Sequence, residues 1–173
     1  MQLRTVTQVN ADGTPVGEIG ILDAHRSPGI LHRAFSVFVF TPDRRKLMIQ
    51  KRFSGKPTFG GQWGNTCCSH QFADETDEAA GMRRLKEEMG FTVPLIKGPV
   101  FTYRADDPRG NGFAEHEHDT ILLGTADESV HVVMNPAEAE DWKWIDIDIL
   151  KRDIKEHPSA YVPWLPIALT QLP

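Results

Sequence analysis

The chain has very little cysteine: two residues among 173, Cys67 and Cys68, and they are adjacent. Two neighbouring cysteines cannot build the framework of several disulfides on which many small secreted domains depend. The opening segment MQLRTVTQVNADG lacks a basic stretch followed by an apolar one, so we expect no signal peptide. Both features favour a reducing compartment, and we predict a cytoplasmic protein.

Long apolar runs and net positive charge are missing as well. The most apolar segment, AFSVFVF at 34–40, is too short to cross a membrane and suits a buried strand. The net charge of -5 leaves no broad positive field of the kind that holds nucleic acid. We therefore expect no membrane and no nucleic-acid partner. An anionic small molecule requires locally concentrated positive charge, and Lys51, Arg52 and Lys56 offer one such concentration.

The order of turns and β-prone runs predicts mixed secondary structure in a single domain. We expect β-hairpins at 6–20 and 31–53, followed by a Gly- and Pro-rich loop at 55–65. The remaining elements are expected as strands near 91–105, 115–124 and 142–146, and as helices near 147–156 and 164–171. Together with a long central helix, this pattern predicts an α/β or α+β sandwich.

The central helix is expected over 74–90, where acidic residues crowd the first turn and Gly90 provides a stop. Its apolar face is predicted from spacings of three and four residues. The positions are Ala79, Met82, Leu85 and Met89.

The same helix carries arginines four residues before glutamates, as Arg83–Glu87 and Arg84–Glu88. Such pairs are ordinarily surface ion pairs that each contribute roughly a few tenths of a kcal/mol. Alternatively, a carboxylate of this set holds Mg2+ and an arginine reaches the same phosphate.

The segment AEHEHD at 114–119 predicts a face of paired carboxylates. In a strand, alternation places Glu115 and Glu117 on one face and His116 and His118 on the other. Two close carboxylates repel unless a cation or a shared proton relieves them. Surface strands also carry such pairs, but the apolar TILLG that follows favours an interior strand and a metal.

Three histidines are candidate partners for these carboxylates. His25 and His32 flank the turn segment RSPGIL, and His70 follows the cysteines. Each alone is more typical of an ordinary surface or core histidine, and nothing local forces the segments together. Combined with Glu115 and Glu117 they make three nitrogen and two oxygen ligands, which suit octahedral Mn2+ or Mg2+ better than tetrahedral zinc.

The cysteines fit neither a disulfide nor a zinc site. Bonding adjacent cysteines strains the peptide, and the C-x2-C spacing of zinc sites is absent. In an extended segment, Cys68 shares a side with His70, whereas Cys67 points the other way. The cysteines are then either a buried inert pair or include one thiol that faces a metal pocket.

A longer motif resembles the Nudix box, G-x5-E-x7-R-E-U-x-E-E-x-G-U, where U is a bulky apolar residue. The motif here is Ser69-x5-Glu75-x7-Arg83-Arg84-Leu85-x-Glu87-Glu88-x-Gly90-Phe91. Ser69 replaces the leading Gly, and Arg84 replaces the first Glu of the metal-binding face. Because hydrolytic members of this superfamily normally need that Glu, the second departure argues against hydrolysis.

These departures, together with the spaced histidines, WGNTCCSH, YRADDPRGNG and AEHEHD, resemble type I isopentenyl-diphosphate isomerases. The resemblance runs from about Val9 to Trp164, and Gln71 stands where that family usually has Pro. It implies a single Nudix-like isomerase domain over 1–173 with a core of about 9–165, built as a mixed β-sheet sandwich with flanking helices. The implied reaction converts isopentenyl diphosphate to dimethylallyl diphosphate through a tertiary carbocation. The alternatives are a Nudix hydrolase of a nucleoside or prenyl diphosphate, and an inactive binding module.

Carried over by position, the resemblance also implies residue roles. Mn2+ or Mg2+ would be held by His25, His32, His70, Glu115 and Glu117, and the Mg2+ of the diphosphate by Glu88 and the Cys68 backbone carbonyl. The diphosphate would be contacted by Arg52, Lys56 and Arg84. Cys68 and Glu117, assisted by Tyr103, would be the acid–base pair, with Trp164 beside the isoprenoid. We expect a monomer that uses no flavin.

Overall fold

The structure, a computed structural model, describes residues 4–172. Its elements are, in chain order, β1 (Thr5–Val9), β2 (Pro15–Gly20), α1 (Ile21–Ala24), β3 (His32–Phe40), β4 (Lys46–Arg52), β5 (Trp63–Gly64), β6 (Cys67–Ser69), α2 (Asp77–Met89), β7 (Ile96–Asp106), β8 (Ala114–Thr125), β9 (Ala139–Asp146), α3 (Ile147–Glu156), a 3-10 turn (Pro158–Ala160) and α4 (Trp164–Gln171). Within the described residues, nine strands form one mixed sheet. This arrangement confirms the predicted α+β class.

The central strand is β3, in which every residue except Arg33 is buried. One edge of β3 pairs in parallel with β8 along its whole length, from His32↔Glu117 to Phe40↔Thr125. The other edge pairs in turn with β1, β6 and β4. Because β3 meets solvent at neither edge, and helices cover both of its faces, its sequence is almost continuously apolar.

The two faces of β3 contribute to different core clusters. Phe35 and Val37 pack in the cluster that contains Leu85 of α2. Phe38 points to the opposite face, where the cluster contains Leu165 of α4. The sheet therefore separates α2 from the C-terminal helices, and the candidate site forms where the strands between them diverge.

The hairpin predicted at 6–20 is confirmed, since β1 and β2 pair antiparallel with a bulge near Val9. The hairpin predicted at 31–53 is wrong beyond its turn. The strands β3 and β4 pair only at Phe40↔Leu47, and β4 then pairs with β9.

A buried threonine holds β3 and β4 apart. The Thr66 hydroxyl accepts a hydrogen bond from the Val39 amide at 2.9 Å and donates to the Met48 carbonyl at 2.7 Å. It thus replaces the direct backbone bonds that a hairpin would make there. Beyond this point β6 takes the place of β4 against β3, with Cys68 opposite Ser36.

The helix α2 ends at Gly90 as the sequence predicts, but it begins at Asp77, three residues later than expected. The Thr76 hydroxyl caps its N-terminus by accepting from the Ala79 amide, and Gly90 ends it with φ 79°. The predicted apolar face is partly wrong, because Ala79 is exposed and the buried stripe includes Arg84 and Glu88. These two charged residues tolerate burial because they pair with each other.

The remaining elements differ from the predictions mainly at their ends. The strand β7 begins at Ile96, five residues later than expected, and the loop at 55–65 contains the short strand β5. The helices α3 and α4 match their predicted bounds, whereas α1 was not predicted. No helix within residues 4–172 is long and apolar enough to cross a membrane.

We predict that Gly90→Ala destabilises the fold, because an alanine would take up a left-handed conformation and its Cβ would approach the Val133 carbonyl oxygen to 2.5 Å. The left-handed conformation alone costs about 1–2 kcal/mol for a non-glycine residue. Urea unfolding measures the change. Gly17→Ala is the matched control, since Gly17 has open space around the Cβ position; equal stability of both variants would contradict this account of the α2 terminus.

Candidate active site and metal centre

The candidate site is a cavity of about 440 Å³ between β6, β8 and the beginning of α4. Ten of the residues singled out from the sequence line it: His25, Arg52, Lys56, Cys68, His70, Arg84, Tyr103, Glu115, Glu117 and Trp164. The other two, His32 and Glu88, are almost fully buried beneath its walls. Seven chain segments, at 25–32, 52–56, 68–70, 84–88, 103, 115–117 and 164, thus meet at one place.

The floor of the cavity is a cluster of histidines and glutamates. His25 follows α1, His32 begins β3 and His70 follows β6. Their ligand atoms and one from Glu117 all lie within 4.8 Å of one another. Glu117 Oε1 is 3.1 Å from His70 Nε2 and 3.7 Å from His32 Nε2. Glu115 Oε2 lies 3.0 Å from His25 Nε2.

Backbone carbonyls orient two of the histidine rings. His25 Nδ1 lies 2.6 Å from the Ile21 carbonyl oxygen, and His32 Nδ1 lies 2.7 Å from that of Ile30. A carbonyl only accepts, so each Nδ1 carries the proton and donates it. In the neutral rings, the lone pairs of both Nε2 atoms therefore point into the cluster, as in metal-ligating histidines.

The donor set fits a divalent cation. Three imidazole nitrogens and the Glu117 carboxylate form one cluster, and Glu115 Oε2 adds a second carboxylate oxygen 3.0 Å from His25 Nε2. His32 Nε2 and His70 Nε2 approach to 3.0 Å, which is unfavourable for two lone pairs unless a cation or proton lies between them. Mixed nitrogen and oxygen ligands of this number suit a six-coordinate ion.

The pKa shifts of His25 and Glu117 reflect the attraction between the histidines and the carboxylates, whereas that of His70 reflects its burial. Burial alone would lower the pKa of His25, but Glu115 and Glu117 outweigh it and raise the pKa to about 9. Burial lowers the pKa of His70 to about 3. For Glu117, burial is outweighed by His32 and His70, which hold the pKa of that carboxyl well below its usual range.

The alternation predicted for AEHEHD is confirmed. Glu115 and Glu117 line the cavity, whereas the side chains of the two intervening histidines contact other segments. His116 Nδ1 lies 3.1 Å from the Gly29 carbonyl oxygen, and His118 Nδ1 lies 3.2 Å from the Thr102 hydroxyl.

The two cysteines have different surroundings. Cys67 is fully buried in the core cluster beneath α2, whereas Cys68 lines the cavity next to His70, as the extended geometry predicted. Arg52 donates a hydrogen bond to Cys68 Sγ at 3.2 Å. Burial raises the pKa of the Cys68 thiol to about 12, and the charge of Arg52 opposes this rise only in part. The thiol is therefore held in its protonated form.

Glu117 and Cys68 reach the cavity from opposite edges of β3. Glu117 lies on β8, and Cys68 lies on β6 at the other edge. Glu117 Oε2 also accepts a hydrogen bond of 2.7 Å from the Tyr103 hydroxyl. Burial and the charge of Glu117 raise the pKa of Tyr103, so the phenol keeps its proton and donates.

An aromatic wall closes the cavity. Trp164 lies with its ring 5.6 Å from that of Tyr103 and 5.5 Å from that of Phe59. Its Nε1 donates to Asn65 Oδ1 at 3.0 Å, and the Arg52 guanidinium lies 5.3 Å from its ring centroid. Asn65 therefore fixes the indole, a role that no local pattern in the sequence indicated.

The opposite part of the cavity is rich in cations. Arg84 donates to Glu88 at 2.7 Å and to Glu138 at 2.9 Å, and Lys56 donates to Glu138 at 2.5 Å. The Arg84–Glu88 pair predicted from the helix spacing is thus present, but it is buried at the cavity rather than exposed on the helix surface. Glu138 was not predicted, because it belongs to a loop distant from every motif.

Comparison with known proteins places the chain in a family. Residues 30–165 match the model of the NUDIX domain. The structure resembles the Deinococcus radiodurans protein DR0079, with TM-score 0.76 and 17% identity, over 98% of this chain and 100% of that one. It also resembles a MutT NUDIX hydrolase of Burkholderia pseudomallei, with TM-score 0.63 and 21% identity, over 83% of this chain and 98% of the other. The fold and the matched domain define a Nudix protein.

Sequence relatives narrow the class. Isopentenyl-diphosphate Delta-isomerase 2 of Aromatoleum aromaticum is 42% identical over 96% of this chain and 85% of that protein. Isopentenyl-diphosphate Delta-isomerase of Nocardia farcinica is 41% identical over 92% of this chain and 89% of that protein. The chain belongs to the isopentenyl-diphosphate Delta-isomerase family of Nudix proteins.

We predict that Glu115→Ala and His32→Ala lower the metal content after loading, because each removes an oxygen or nitrogen donor that could hold a cation at the buried cluster. His116→Ala and His118→Ala are matched controls on the same strand and should keep it. Elemental analysis of the purified variants after loading with Mn2+ measures the content. Metal loss in His116→Ala with full content in Glu115→Ala would contradict the metal centre described above.

Proposed function

We propose that this protein isomerises isopentenyl diphosphate to dimethylallyl diphosphate by protonation and deprotonation through a tertiary carbocation. The observation that carries the proposal is the pairing of Cys68 and Glu117, which enter one cavity from opposite edges of β3. Membership in the isomerase family supports the same reaction.

The diphosphate would bind at the cationic part of the cavity. Arg52, Lys56 and Arg84 line it. Their positive charges offset the net negative charge of the chain at this position, and they can donate charge-assisted hydrogen bonds to phosphate oxygens. The Nε atoms of Arg52 and Arg84 are buried without a partner among the described residues, so each still has a donor to offer.

Glu88 would help to hold the Mg2+ of the diphosphate, with the backbone carbonyl of Cys68. In this structure the Glu88 oxygens accept from Arg84 at 2.7 Å and from Gln50 at 2.9 Å. A carboxylate has about four lone-pair positions, so both oxygens keep one that can face a cation.

Moving the double bond needs an acid on one side of the substrate and a base on the other. An isolated alkene is a poor base, so its protonation requires a positioned donor in a cavity from which water is excluded. Cys68 carries a proton on sulfur, and Glu117 is a carboxylate next to the phenol of Tyr103. These groups form the acid–base pair, and Tyr103 holds or relays the proton at Glu117.

The histidine–glutamate cluster would hold Mn2+ or Mg2+. A divalent cation bound there would stabilise the negative charge of Glu117 and orient its carboxylate. The chain's own contribution is to fix the ligands from separate segments before the substrate arrives.

Trp164 would lie beside the isoprenoid. Its indole face stabilises a positive charge that develops on the tertiary carbon, and the packed aromatic wall keeps water from capturing the cation. The hydrogen bond from Trp164 to Asn65 keeps the ring in this orientation.

Hydrolysis of a diphosphate is the second candidate, because the Glu87–Glu88 pair of the Nudix box is present. In the structure, however, the positive Arg84 occupies the position of the missing glutamate and binds both Glu87 and Glu88. Arg84 thus removes one carboxylate from the metal-binding face of the Nudix box and engages Glu87, so the set of glutamates that hydrolysis normally needs is incomplete, which favours isomerisation.

The test is incubation with isopentenyl diphosphate, Mg2+ and Mn2+ in D2O, followed by NMR. We expect dimethylallyl diphosphate that carries deuterium, since protonation takes its hydrogen from the solvent-exchanged acid. Release of phosphate would support the hydrolase instead. Unchanged substrate would contradict both enzymatic functions.

We predict that Cys68→Ser folds and keeps its metal but loses isomerisation by about 10²–10⁴-fold, the effect typical of a lost acid–base group. Cys67→Ser is the matched control, because its side chain lies in the core and not in the cavity. It should lose stability in thermal unfolding while keeping most turnover.

An epoxide of the substrate provides an independent readout of the reactive thiol. We expect mass spectrometry to find the label on Cys68 in the wild-type protein. A label on Cys67, or normal turnover by Cys68→Ser, would show that the wrong sulfur has been chosen.

A further inference from the structure

Arg4 lines the same cavity as Arg52, Lys56 and Arg84. It precedes β1, far in sequence from the motifs of the site, and the proposed function gives it no role. One terminal nitrogen of Arg4 donates to the Ser69 hydroxyl at 3.0 Å. Ser69 stands directly between Cys68 and His70, where the Nudix pattern has Gly. The hydroxyl that replaces this glycine thus holds a fourth cation at the cavity.

Phe72 supports Arg4 from another side. The Arg4 guanidinium carbon lies 5.8 Å from the centroid of the Phe72 ring, and that of Arg83 lies 4.0 Å from it. Phe72 is 48% exposed, which places these contacts at the rim of the protein. A half-buried guanidinium between a hydroxyl and an aromatic ring is held in position by two neutral groups.

The charges around Arg4 leave room for an anion. Among residues 4–172, no carboxylate forms an ion pair with Arg4 or with Arg52, whereas Lys56 and Arg84 share Glu138. Burial lowers the pKa of Arg4, and the positive charges of Arg84 and Arg83 lower it further, while Glu138 and Glu87 oppose this shift only in part. Cations that are close enough to repel one another in a cavity are stabilised by a multiply charged anion.

We propose that Arg4, positioned by Ser69, is a further contact to the diphosphate of the substrate. This inference rests on the proposed function and deepens it. Arg4 binds phosphate oxygens at the rim of the cavity, and Arg52, Lys56 and Arg84 bind them further in. Because Arg4 touches the diphosphate and not the isoprenoid, it contributes to binding and leaves the proton transfers unchanged.

The test compares Arg4→Gln with wild type. Glutamine keeps a donor for Ser69 and removes the charge, and loss of one charge-assisted contact should raise KM by about tenfold while kcat stays within about twofold. Inorganic pyrophosphate, as a competitive inhibitor, should lose affinity by the same factor as the substrate. Ser69→Gly restores the Nudix pattern and removes the group that positions Arg4. It should also raise KM and weaken pyrophosphate inhibition, but by a smaller factor than Arg4→Gln. Arg45→Gln is the charge-matched control, since Arg45 is exposed in the turn between β3 and β4.

The outcomes separate this proposal from the proposed function. If wild type isomerises the substrate and Arg4→Gln and Ser69→Gly leave KM and pyrophosphate inhibition at control values, the Arg4 contact is overturned and the isomerase stands. If wild type does not isomerise, the isomerase fails, and direct titration with Mg2+–pyrophosphate decides on Arg4. If Arg4→Gln binds Mg2+–pyrophosphate more weakly than Arg45→Gln does, the contact is supported. If the two variants bind it equally well, the contact is overturned. If Arg4→Gln does not fold, Ser69→Gly is compared with Arg45→Gln in the same measurements, and the same two outcomes support or overturn the contact.

Discussion

The site depends on one pair of hydrogen bonds, made by the Thr66 hydroxyl between β3 and β4. By bonding to the Val39 amide and the Met48 carbonyl, it satisfies both strands at the point where they part. Once β4 has left, the free edge of β3 accepts β6, which carries Cys68. The parallel strand β8 occupies the other edge and carries Glu117. A regular hairpin would have filled this edge and left the thiol with no strand to place it.

The separation of charge within the cavity follows from this placement. One face of β8 carries three acidic residues at alternate positions, Glu115, Glu117 and Asp119. Asp119 is buried and accepts a hydrogen bond of 2.7 Å from the Ser36 hydroxyl. Burial and the neighbouring carboxylates raise the pKa of Asp119 well above its usual value. Asp119 therefore keeps its proton, while Glu117 is ionised against the histidines. One face of the strand thus carries an ionised carboxylate at the histidine cluster and a neutral carboxylic acid two residues further along.

Much of this site could be predicted from the sequence where local geometry alone decides direction. Strand alternation places Glu115 and Glu117 together and Cys68 with His70, whatever the rest of the fold does. The same reasoning failed where a tertiary contact overrides local pattern. On α2, Arg84 is buried at the expense of Ala79, because its partner Glu138 comes from a loop that no helical periodicity describes.

Contacts at the ends of the chain were beyond sequence reasoning for a related reason. Asn65 meets Trp164 across 99 residues, and Arg4 meets Ser69 across 65. Neither pair has a spacing that a helix or strand imposes. Both pairs form because the strands next to β3 come from separate regions of the chain. Such contacts can be predicted only when the order of the strands in the sheet is known.

The two parts of the cavity differ in charge and polarity. Guanidinium and ammonium groups line one part, and the thiol, the carboxylate and the aromatic wall line the other. A substrate with an anionic head and an apolar tail can satisfy both parts in only one orientation, since the reverse would bring the diphosphate against Glu117. Arg52 joins the two regions, because its guanidinium contacts Cys68 Sγ and also lies over Trp164. The residue that we propose to bind the diphosphate therefore also contacts the thiol.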